Sequence, residues 1–432
     1  MLKQIFNQTK LELFFILSIF LFRFPPIYIL GIHNTLLTTE AFAIFIILFE
    51  FIITFFLMIT KKERIKFDKE TLIVLLFFFS QSVSILGASN ISSFINMYWK
   101  IILGIIVFII GKYSLFSHES KFYNKSMAAL AWGALVATIL QVVLLFYPVI
   151  YSAIGHSLIY TNIFNIIMAN SNIGKLVDDT YFEVVTPVLI FYYLNSKGFT
   201  KLTIIILFFA VGFISFASNL RARFLVFIFS SLITIISLKK IFRFFQFQLR
   251  KNVIIILVII VALSLMGNAI TKSITGYTVI DRFLLQDETA DYNTIAWRFE
   301  MYNQSIDMVS GNPIFGVGLG NFYDFLSSKY KTNVNFILKT NPTSQEISSL
   351  ALSGGTHNIF FQTLGETGLF GLFSLFIMLG SFLKKDISLF RTNNEKKRVF
   401  ICCFWTLIGI AQFFPATNPT FYTLFFLFRS LI

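Results

Sequence analysis

The chain has 432 residues, of which 56% are hydrophobic and 57 are phenylalanine, and its formal net charge is +14. Apolar runs of about 17–25 residues recur along its whole length, and such runs are long enough to cross a lipid bilayer. This composition excludes an ordinary soluble domain, and runs that are apolar on every face exclude a barrel of alternating strands. We therefore predict an all-α, polytopic integral membrane protein.

The basic residues concentrate in a few segments between the apolar runs. Segments 61–70, 239–251 and 384–398 are rich in Lys and Arg, whereas 31–40 and 88–96 contain neither. Because basic loops of membrane proteins stay in the cytoplasm, this pattern predicts that both termini are cytoplasmic. It also explains the positive charge without a nucleic-acid partner.

Hydropathy predicts about twelve transmembrane helices. Their approximate ranges are 11–30, 41–59, 71–87, 97–111, 127–148, 181–194, 202–218, 224–238, 253–270, 357–383, 399–414 and 420–432. These ranges divide one integral domain into a membrane region over residues 1–270, a large extracytoplasmic loop over 271–356 and C-terminal spans over 357–432.

Three arginines fall on the extracytoplasmic side, where the topology rule disfavours basic residues. Arg221 and Arg223 stand where a predicted span begins, and Arg298 follows Trp297 in the large loop. A planar guanidinium can bind a phosphate or a carboxylate through two hydrogen bonds. The alternative for each arginine is a structural one, in which the side chain anchors its helix at the lipid headgroups.

The large loop is expected to contain a helix of its own. Phe299, Tyr302, Ile306 and Val309 have the spacing of one apolar helix face. Such a helix would lie on the membrane or cap the bundle. A glycine and a proline, at positions 311 and 313, are expected to end it.

The glycines that follow have two interpretations. Gly316 and Gly318 could form a backbone nest for an anion, or they could simply make a tight turn after the proline. Glu366, further along, is expected to pair with an arginine inside the bundle.

His357 is the histidine that we single out, because it precedes a long apolar run. Gly354 and Gly355 break the chain, and Thr356 is a candidate N-cap. His357 would then lie in the first helical turn, where the helix dipole disfavours an imidazolium ion. A neutral imidazole can act as a general base, although a structural histidine is the alternative.

Metal and cofactor chemistry finds no support in the sequence. No HExxH or CxxC pattern is present, and the adjacent Cys402 and Cys403 stand in an apolar run. These residues suggest neither a disulfide framework nor a metal site.

Two motifs together resemble the O-antigen ligase and O-antigen polymerase superfamily. The first is the segment NPIFGVGLGNF over 312–322, and the second is His357-Asn358, nine residues, then Gly368 and Gly371. An arginine followed four residues later by an aromatic residue is also similar, with Arg298 and Tyr302 in those places. The family's middle-span arginine falls at Arg221. Leu220 replaces the usual serine before it, so Arg223 competes for that role.

The resemblance implies a metal-independent, inverting glycosyltransferase in the bacterial inner membrane, with no cofactor and its active site at the periplasmic face. The donor would be a glycan on undecaprenyl diphosphate. Arg221 or Arg223, together with Arg298, would hold the diphosphate, and His357 would take the proton from the acceptor hydroxyl. Supporting roles would fall to Asn358, Glu366, Gly316 and Gly318.

Several activities fit this resemblance. We favour a polymerase, because the insert 321–355 is long and polar. The alternative is a ligase that transfers the glycan to lipid A-core. A protein-targeting oligosaccharyltransferase comes third, since it usually carries a larger C-terminal domain. From another class, a transporter of lipid-linked glycan would depend on Glu50 and Lys100. The predicted partners are the lipid-linked glycan, an acceptor glycan or lipid A-core, the bilayer and a chain-length regulator.

Overall fold

The computed structural model describes residues 8–21, 39–60, 67–113, 120–154, 181–217, 221–238, 288–330, 356–390, 394–413, 416 and 418–432. Within these ranges every regular element is helical, which confirms the all-α prediction. The α-helices are α1 (Gln8–Leu21), α2 (Thr39–Thr60), α3 (Lys69–Val83), α4 (Ile91–Tyr113), α5 (Ser120–Ile154), α6 (Thr186–Asn195), α7 (Gly198–Ala217), α8 (Arg221–Ser237), α9 (Glu288–Gly311), α10 (Phe322–Tyr330), α11 (Ile359–Phe390), α12 (Glu395–Ile410) and α13 (Pro419–Ser430). Short 3-10 turns, Ser84–Gly87 and Phe182–Val185, follow α3 and precede α6.

Three described segments are long and apolar enough to cross a membrane, namely Lys69–Gly87, Ile91–Tyr113 and Ile359–Phe390. Shorter apolar helical stretches occur at Leu11–Leu21, Ala41–Phe56, Glu183–Asn195, Gly198–Gly212 and Ala222–Ser237. The predicted span 253–270 lies outside the described residues, as do the whole basic segment 239–251 and residues 331–355 of the polar insert.

Polar side chains fix where several helices begin. The Asp68 carboxylate accepts a hydrogen bond from Thr71 N at 3.0 Å at the start of α3. The Asn394 side chain accepts from Lys397 N at 3.2 Å at the start of α12. Asn418 does the same for α13, accepting from Phe421 N at 2.8 Å. Each cap satisfies a backbone N–H that the helix itself leaves without a partner.

The ends of the helices fall into two groups. At the first, which we call the basic end, Arg398 donates to Ser237 O at 2.7 Å, and Lys397 donates to Ile432 O at 2.8 Å. The Tyr192 hydroxyl donates to the carbonyl of Asn124 there, at 3.3 Å. The described portions of segment 384–398 and of two further segments that contain lysines, 112–125 and 195–201, therefore share one end of the bundle. The opposite end, which we call the His357 end, contains residues 84–93, 181–185, 221–223, 312–321, 356–361, 409–413, 416 and 418–421.

A buried ion network ties five elements together at the basic end. The Arg429 guanidinium, which is fully buried, donates to Asp386 Oδ1 at 2.8 Å and to Glu70 Oε1 at 2.6 Å. Trp405 Nε1 donates to Asp386 Oδ2 at 2.8 Å. Lys112, on α4, forms a salt bridge with Glu70 at 3.0 Å. Since a buried charge is tolerated only when it is paired and hydrogen-bonded, this network constrains α3, α4, α11, α12 and α13 to meet here.

We expect the Arg429→Met variant to lose about 3–5 kcal/mol of stability, because it leaves two buried carboxylates without their shared cation. Thermal unfolding of the purified protein in detergent measures the loss. Lys201→Met is the control, because Lys201 contacts only the Tyr193 ring among the interactions described, at 4.5 Å; it should cost less than about 1 kcal/mol. Equal shifts in the two melting temperatures would contradict the role given to the network.

Candidate functional site

The segment 312–321, which we call the glycine loop, fills a narrow space at the His357 end. Gly316, Gly318 and Gly320 all have positive φ, at +64°, +93° and +75°. A Cβ on Gly316 would lie 2.5 Å from Gly365 O, and one on Gly318 would lie 2.4 Å from Ala88 Cα. The loop can therefore approach both α11 and the turn after α3 only because these positions are glycines.

Helix α11 is interrupted where the glycine loop touches it. Gly368 has φ +67° and ψ −167°, which breaks the helical hydrogen-bond pattern. The freed groups bond to the loop: Val317 N donates to Gly365 O at 3.0 Å, and Leu369 N donates to Pro313 O at 2.9 Å. A Cβ on Gly368 would lie only 2.3 Å from Ile314 O. Gly368, which follows His357-Asn358 after nine residues, is therefore a glycine because a side chain has no room at this contact.

Glu366 lies beneath this contact and is almost completely buried, at 3% exposure. Its carboxylate accepts hydrogen bonds from the backbone N–H groups of Gly320 and Phe322 and from the Gln362 side chain, and Lys100 contributes a favourable charge. The expected pairing with an arginine is therefore wrong for the described residues, because the glycine loop delivers two backbone donors instead. The loop forms a turn whose N–H groups face an internal carboxylate.

A small cavity adjoins Glu366 between α3, α11 and α13. Gln81, Gln362, Thr363 and Tyr422 supply polar groups to its wall. The volume of this cavity that the centre of a water molecule can occupy is about 20 Å³. That is room for about one water and far too little for a sugar.

His357 has a left-handed backbone, with φ +52°. The helix cap is Asn358 rather than Thr356: the Asn358 side chain accepts from Phe360 N at 2.9 Å and from Phe361 N at 3.2 Å. Thr356 instead bonds locally, accepting from Asn358 N at 3.2 Å. The expectation that His357 lies in the first turn is thus corrected, because His357 immediately precedes the cap.

The turn that follows α12 holds the segment around His357 in place. Phe413 O lies 3.1 Å from His357 Nδ1. Asn358 Nδ2 donates to Gln412 Oε1 at 3.2 Å, and a backbone bond of 2.9 Å runs from the amide of residue 359 to the carbonyl of residue 411. Three consecutive residues of one segment therefore contact three consecutive residues of the other.

The predicted helix in the large loop is confirmed as α9, and it ends at Gly311 as expected. Two residues of the predicted apolar face, Phe299 and Ile306, point away from the bundle and are 63% and 53% exposed. The buried face contains Met301, Ser305 and Met308 instead. A Cβ on the facing glycine of α11, at position 365, would lie 2.9 Å from the Met308 sulfur, so small residues let the two helices approach closely.

The register of α9 on α11 brings Arg298 to the level of His357. The ring of Tyr302 stacks on that of Phe361, with centroids 4.3 Å apart. Further along, Ser305 meets Gly365, so the two helices run parallel. One helical turn before Tyr302 is Arg298, and four residues before Phe361 is His357, which immediately precedes the cap of α11.

Arg298 is half-buried, and burial lowers the pKa of its guanidinium, while the neighbouring Tyr302 opposes this. In the part of the chain that the structure describes, Arg298 forms no salt bridge. A partly desolvated cation of this kind favours an anionic ligand.

Arg223 reaches the same end along a different pair of helices. Ser230 Oγ lies 2.7 Å from Thr406 Oγ1, and near the basic end Arg398 bonds to the last residue of α8, so α8 and α12 are antiparallel. Val226 faces Gly409, 3.8 Å from a Cβ placed there. One turn further, fully buried Arg223 comes level with Gln412. Arg221 begins α8 as predicted, but its side chain lies outside the described residues.

The comparison with known families now bears on this arrangement. Residues 203–376 match the family described as O-antigen ligase. The match begins in α7 and ends in α11, so it includes both arginine positions of α8, Arg298 and His357. The match supports the resemblance to the O-antigen ligase and polymerase superfamily over this part of the chain. No curated protein matches it.

The matched family indicates the general class of protein to which this region is similar. The family is membrane-embedded, in agreement with the apolar helices described above. Its members are glycosyltransferase-like ligases and polymerases, which act on a lipid-linked glycan and an acceptor. Within the described ranges, no group of three His, Cys, Asp or Glu side chains is placed to hold a metal ion.

Helix α12 contributes to the site in a way that no sequence motif indicates. Gln412 and Phe413 contact His357 and Asn358 from more than fifty positions away, outside the segment that matches the family. The only local signal is a glutamine among apolar residues at the end of a predicted span, and such a residue is equally common as an interfacial anchor.

The Gly368→Ala variant should be destabilised by more than about 1–2 kcal/mol, because a side chain in the left-handed region costs that much and its Cβ would also clash with Ile314 O. Gly380→Ala, on the same helix, is the matched control, since nothing lies within 4 Å of a Cβ there. That variant should be neutral or gain up to about 1 kcal/mol. Thermal unfolding of both variants gives the comparison. An unchanged melting temperature in Gly368→Ala would contradict the close contact between the glycine loop and α11.

Proposed function

We propose that this protein is a surface-polysaccharide polymerase that joins undecaprenyl-diphosphate-linked repeat units at the periplasmic face of the bacterial inner membrane. The observation that carries the proposal is the gathering of Arg223, Arg298 and His357 at one end of the helix bundle, from three helices, in a chain that resembles this superfamily. Transfer of a glycan from a lipid diphosphate requires cations that bind the diphosphate and a base that accepts the proton of the acceptor hydroxyl.

The arginines bind the donor in this proposal. A diphosphate carries several negative charges, and guanidinium groups pair with its oxygens through charge-assisted hydrogen bonds. Arg298 is partly withdrawn from water, which strengthens such pairing. As the glycosidic bond breaks, the same cations stabilise the charge that develops on the leaving diphosphate. Arg221 remains the alternative to Arg223 for this role.

His357 acts as the general base. It takes the proton from the acceptor hydroxyl while that oxygen attacks the anomeric carbon. One C–O bond forms as the bond to the diphosphate oxygen breaks, so the configuration inverts, and undecaprenyl diphosphate leaves. The diphosphate supplies the activation, and neither a metal ion nor a cofactor takes part. Asn358, Glu366, Gly316 and Gly318 support the site by holding the α11 end and the glycine loop.

The proposed topology has twelve spans, with both termini in the cytoplasm. Helix α8 ends at the basic end, whereas α9 packs at the His357 end, so the chain has to cross the bundle between residues 238 and 288. We assign this crossing to the predicted span 253–270. The chain then divides into the membrane region over 1–270, the periplasmic loop over 271–356 and the C-terminal spans over 357–432.

The second candidate is an O-antigen ligase, which transfers the glycan to lipid A-core. The matched family is compatible with both activities, and the long polar insert 321–355 is our reason for preferring the polymerase. A chain-length regulator would be a partner of the polymerase only. A transporter of lipid-linked glycan would instead depend on Glu50, which is fully buried, and on Lys100.

Replacement of the base or of an arginine should abolish polymer formation. We expect His357→Ala to lower turnover by about 10²–10⁴-fold and Arg298→Ala by about 10²–10³-fold. Growth of the glycan on a purified lipid-linked repeat unit gives the measurement. Arg398→Ala, at the basic end, is the matched arginine control: it should lose stability but keep its turnover per folded protein. Normal activity in His357→Ala would refute the mechanism, and a requirement for Glu50 instead would support transport.

A gel of lipopolysaccharide from a deletion strain distinguishes the two transferases. A single repeat unit left on lipid A-core means that the missing protein is the polymerase. A full ladder stranded on undecaprenyl diphosphate, together with bare core, means that it is the ligase. Accumulation of repeat units at the cytoplasmic face would overturn both and favour the transporter.

A further inference from the structure

We infer that Gln412 is a positioning residue for His357, and that the turn after α12 fixes the imidazole with its hydrogen on Nδ1 and its lone pair on Nε2. The inference rests on the proposed role of His357 as the base. It assigns to α12, which lies beyond the segment that matches the family, the task of selecting the tautomer of the base.

The identity of the partner atom determines the tautomer. Phe413 O, 3.1 Å from His357 Nδ1, is a carbonyl oxygen and can only accept a hydrogen bond. Nδ1 must therefore carry the hydrogen. A neutral imidazole has a single N–H, so the lone pair that accepts a proton is on Nε2. A hydrogen bond at one ring nitrogen is the usual way in which proteins orient a functional histidine.

Both ends of the Gln412 side-chain amide form hydrogen bonds, and these hold the turn that carries Phe413 O. Its Nε2 donates to Ile408 O at 3.1 Å, and its Oε1 accepts from Asn358 Nδ2 at 3.2 Å. The Asn358 carbonyl oxygen is already used in capping α11, so only its NH₂ group can face the glutamine. These hydrogen bonds determine which end of the Gln412 and Asn358 side-chain amides is the oxygen and which is the nitrogen.

The backbone of His357 makes this support necessary. A left-handed conformation at a residue other than glycine persists only where the surroundings enforce it. Here Asn358, held by Gln412, and the backbone bond from the amide of residue 359 both act on the segment immediately after His357. Loss of the Gln412 contact would let the imidazole turn away from Phe413 O.

Two arginines lie at the level of His357 and have to be considered in its titration. Arg298 comes from α9 and Arg223 from α8. Because guanidinium groups stay protonated across any workable pH range, neither arginine titrates with the base. Neither arginine therefore contributes to the acid limb of a kcat–pH profile.

Two substitutions test the role of Gln412. Gln412→Leu keeps the approximate volume and removes both hydrogen bonds, so we expect kcat to fall about 10–100-fold with KM changed by less than about twofold. Gln412→Glu keeps the acceptor for Asn358 and adds a negative charge, which favours an imidazolium. It should retain more activity than Gln412→Leu at high pH, and its acid limb should move to higher pH by about one unit.

Asn394→Ala is the matched control. Asn394 caps the other end of the same helix, so its loss should lower thermal stability while leaving kcat and its pH profile unchanged. If Gln412→Leu also changed only stability, Gln412 would be merely structural and the inference would fail.

The tautomer itself can be read without any activity. Nitrogen-15 spectra of the wild-type protein, with the His357 signals assigned by their absence in His357→Ala, should show a protonated Nδ1 and an unprotonated Nε2 above the acid limb. The opposite tautomer would overturn the inference even if no Gln412 variant could be folded. Activity that persists in His357→Ala would refute the proposed function and leave this spectroscopic result standing.

Discussion

The contact between the glycine loop and the break in α11 is the constraint on which the rest of this end of the protein depends. Gly368 opens the helix, and the loop completes the hydrogen bonds that the break exposes. Glu366, just before the break, receives two N–H groups from the end of the loop. The α9 helix leads directly into this loop, so its position on α11, and with it the level of Arg298, follows from the same contact.

The general architecture and most of the site could be predicted from the sequence, because both leave local signals. Apolar runs predict helices, and basic segments predict which helix ends lie together. His357, Arg298 and Arg223 are conspicuous as polar residues beside apolar helices, and the structure places all three at one end. Their catalytic and binding roles are still proposals.

The features that could not be predicted depend on residues distant in sequence. The face by which α9 packs on α11 could not be predicted, because Ser305 and Gly365 permit a close approach that hydrophobic spacing does not reveal. Asn358 caps α11 in place of Thr356, because the threonine forms its hydrogen bonds within its own turn. The ion network of Glu70, Asp386 and Arg429 joins three helices that no local pattern connects, although each residue alone stands out as a charge at the edge of an apolar run.

The direct bond between the first turn of α11 and the last turn of α12 also has an electrostatic consequence. One helix presents its partially positive N-terminus there, and the other presents its partially negative C-terminus. Joined head to tail, the two partial charges largely cancel, so the sequence-based expectation of a strong dipole effect on His357 is weakened. The field around the imidazole then comes mainly from whole charges, which are the arginines and the substrate. In the proposed mechanism, the diphosphate would therefore change the proton affinity of His357 as it binds and leaves.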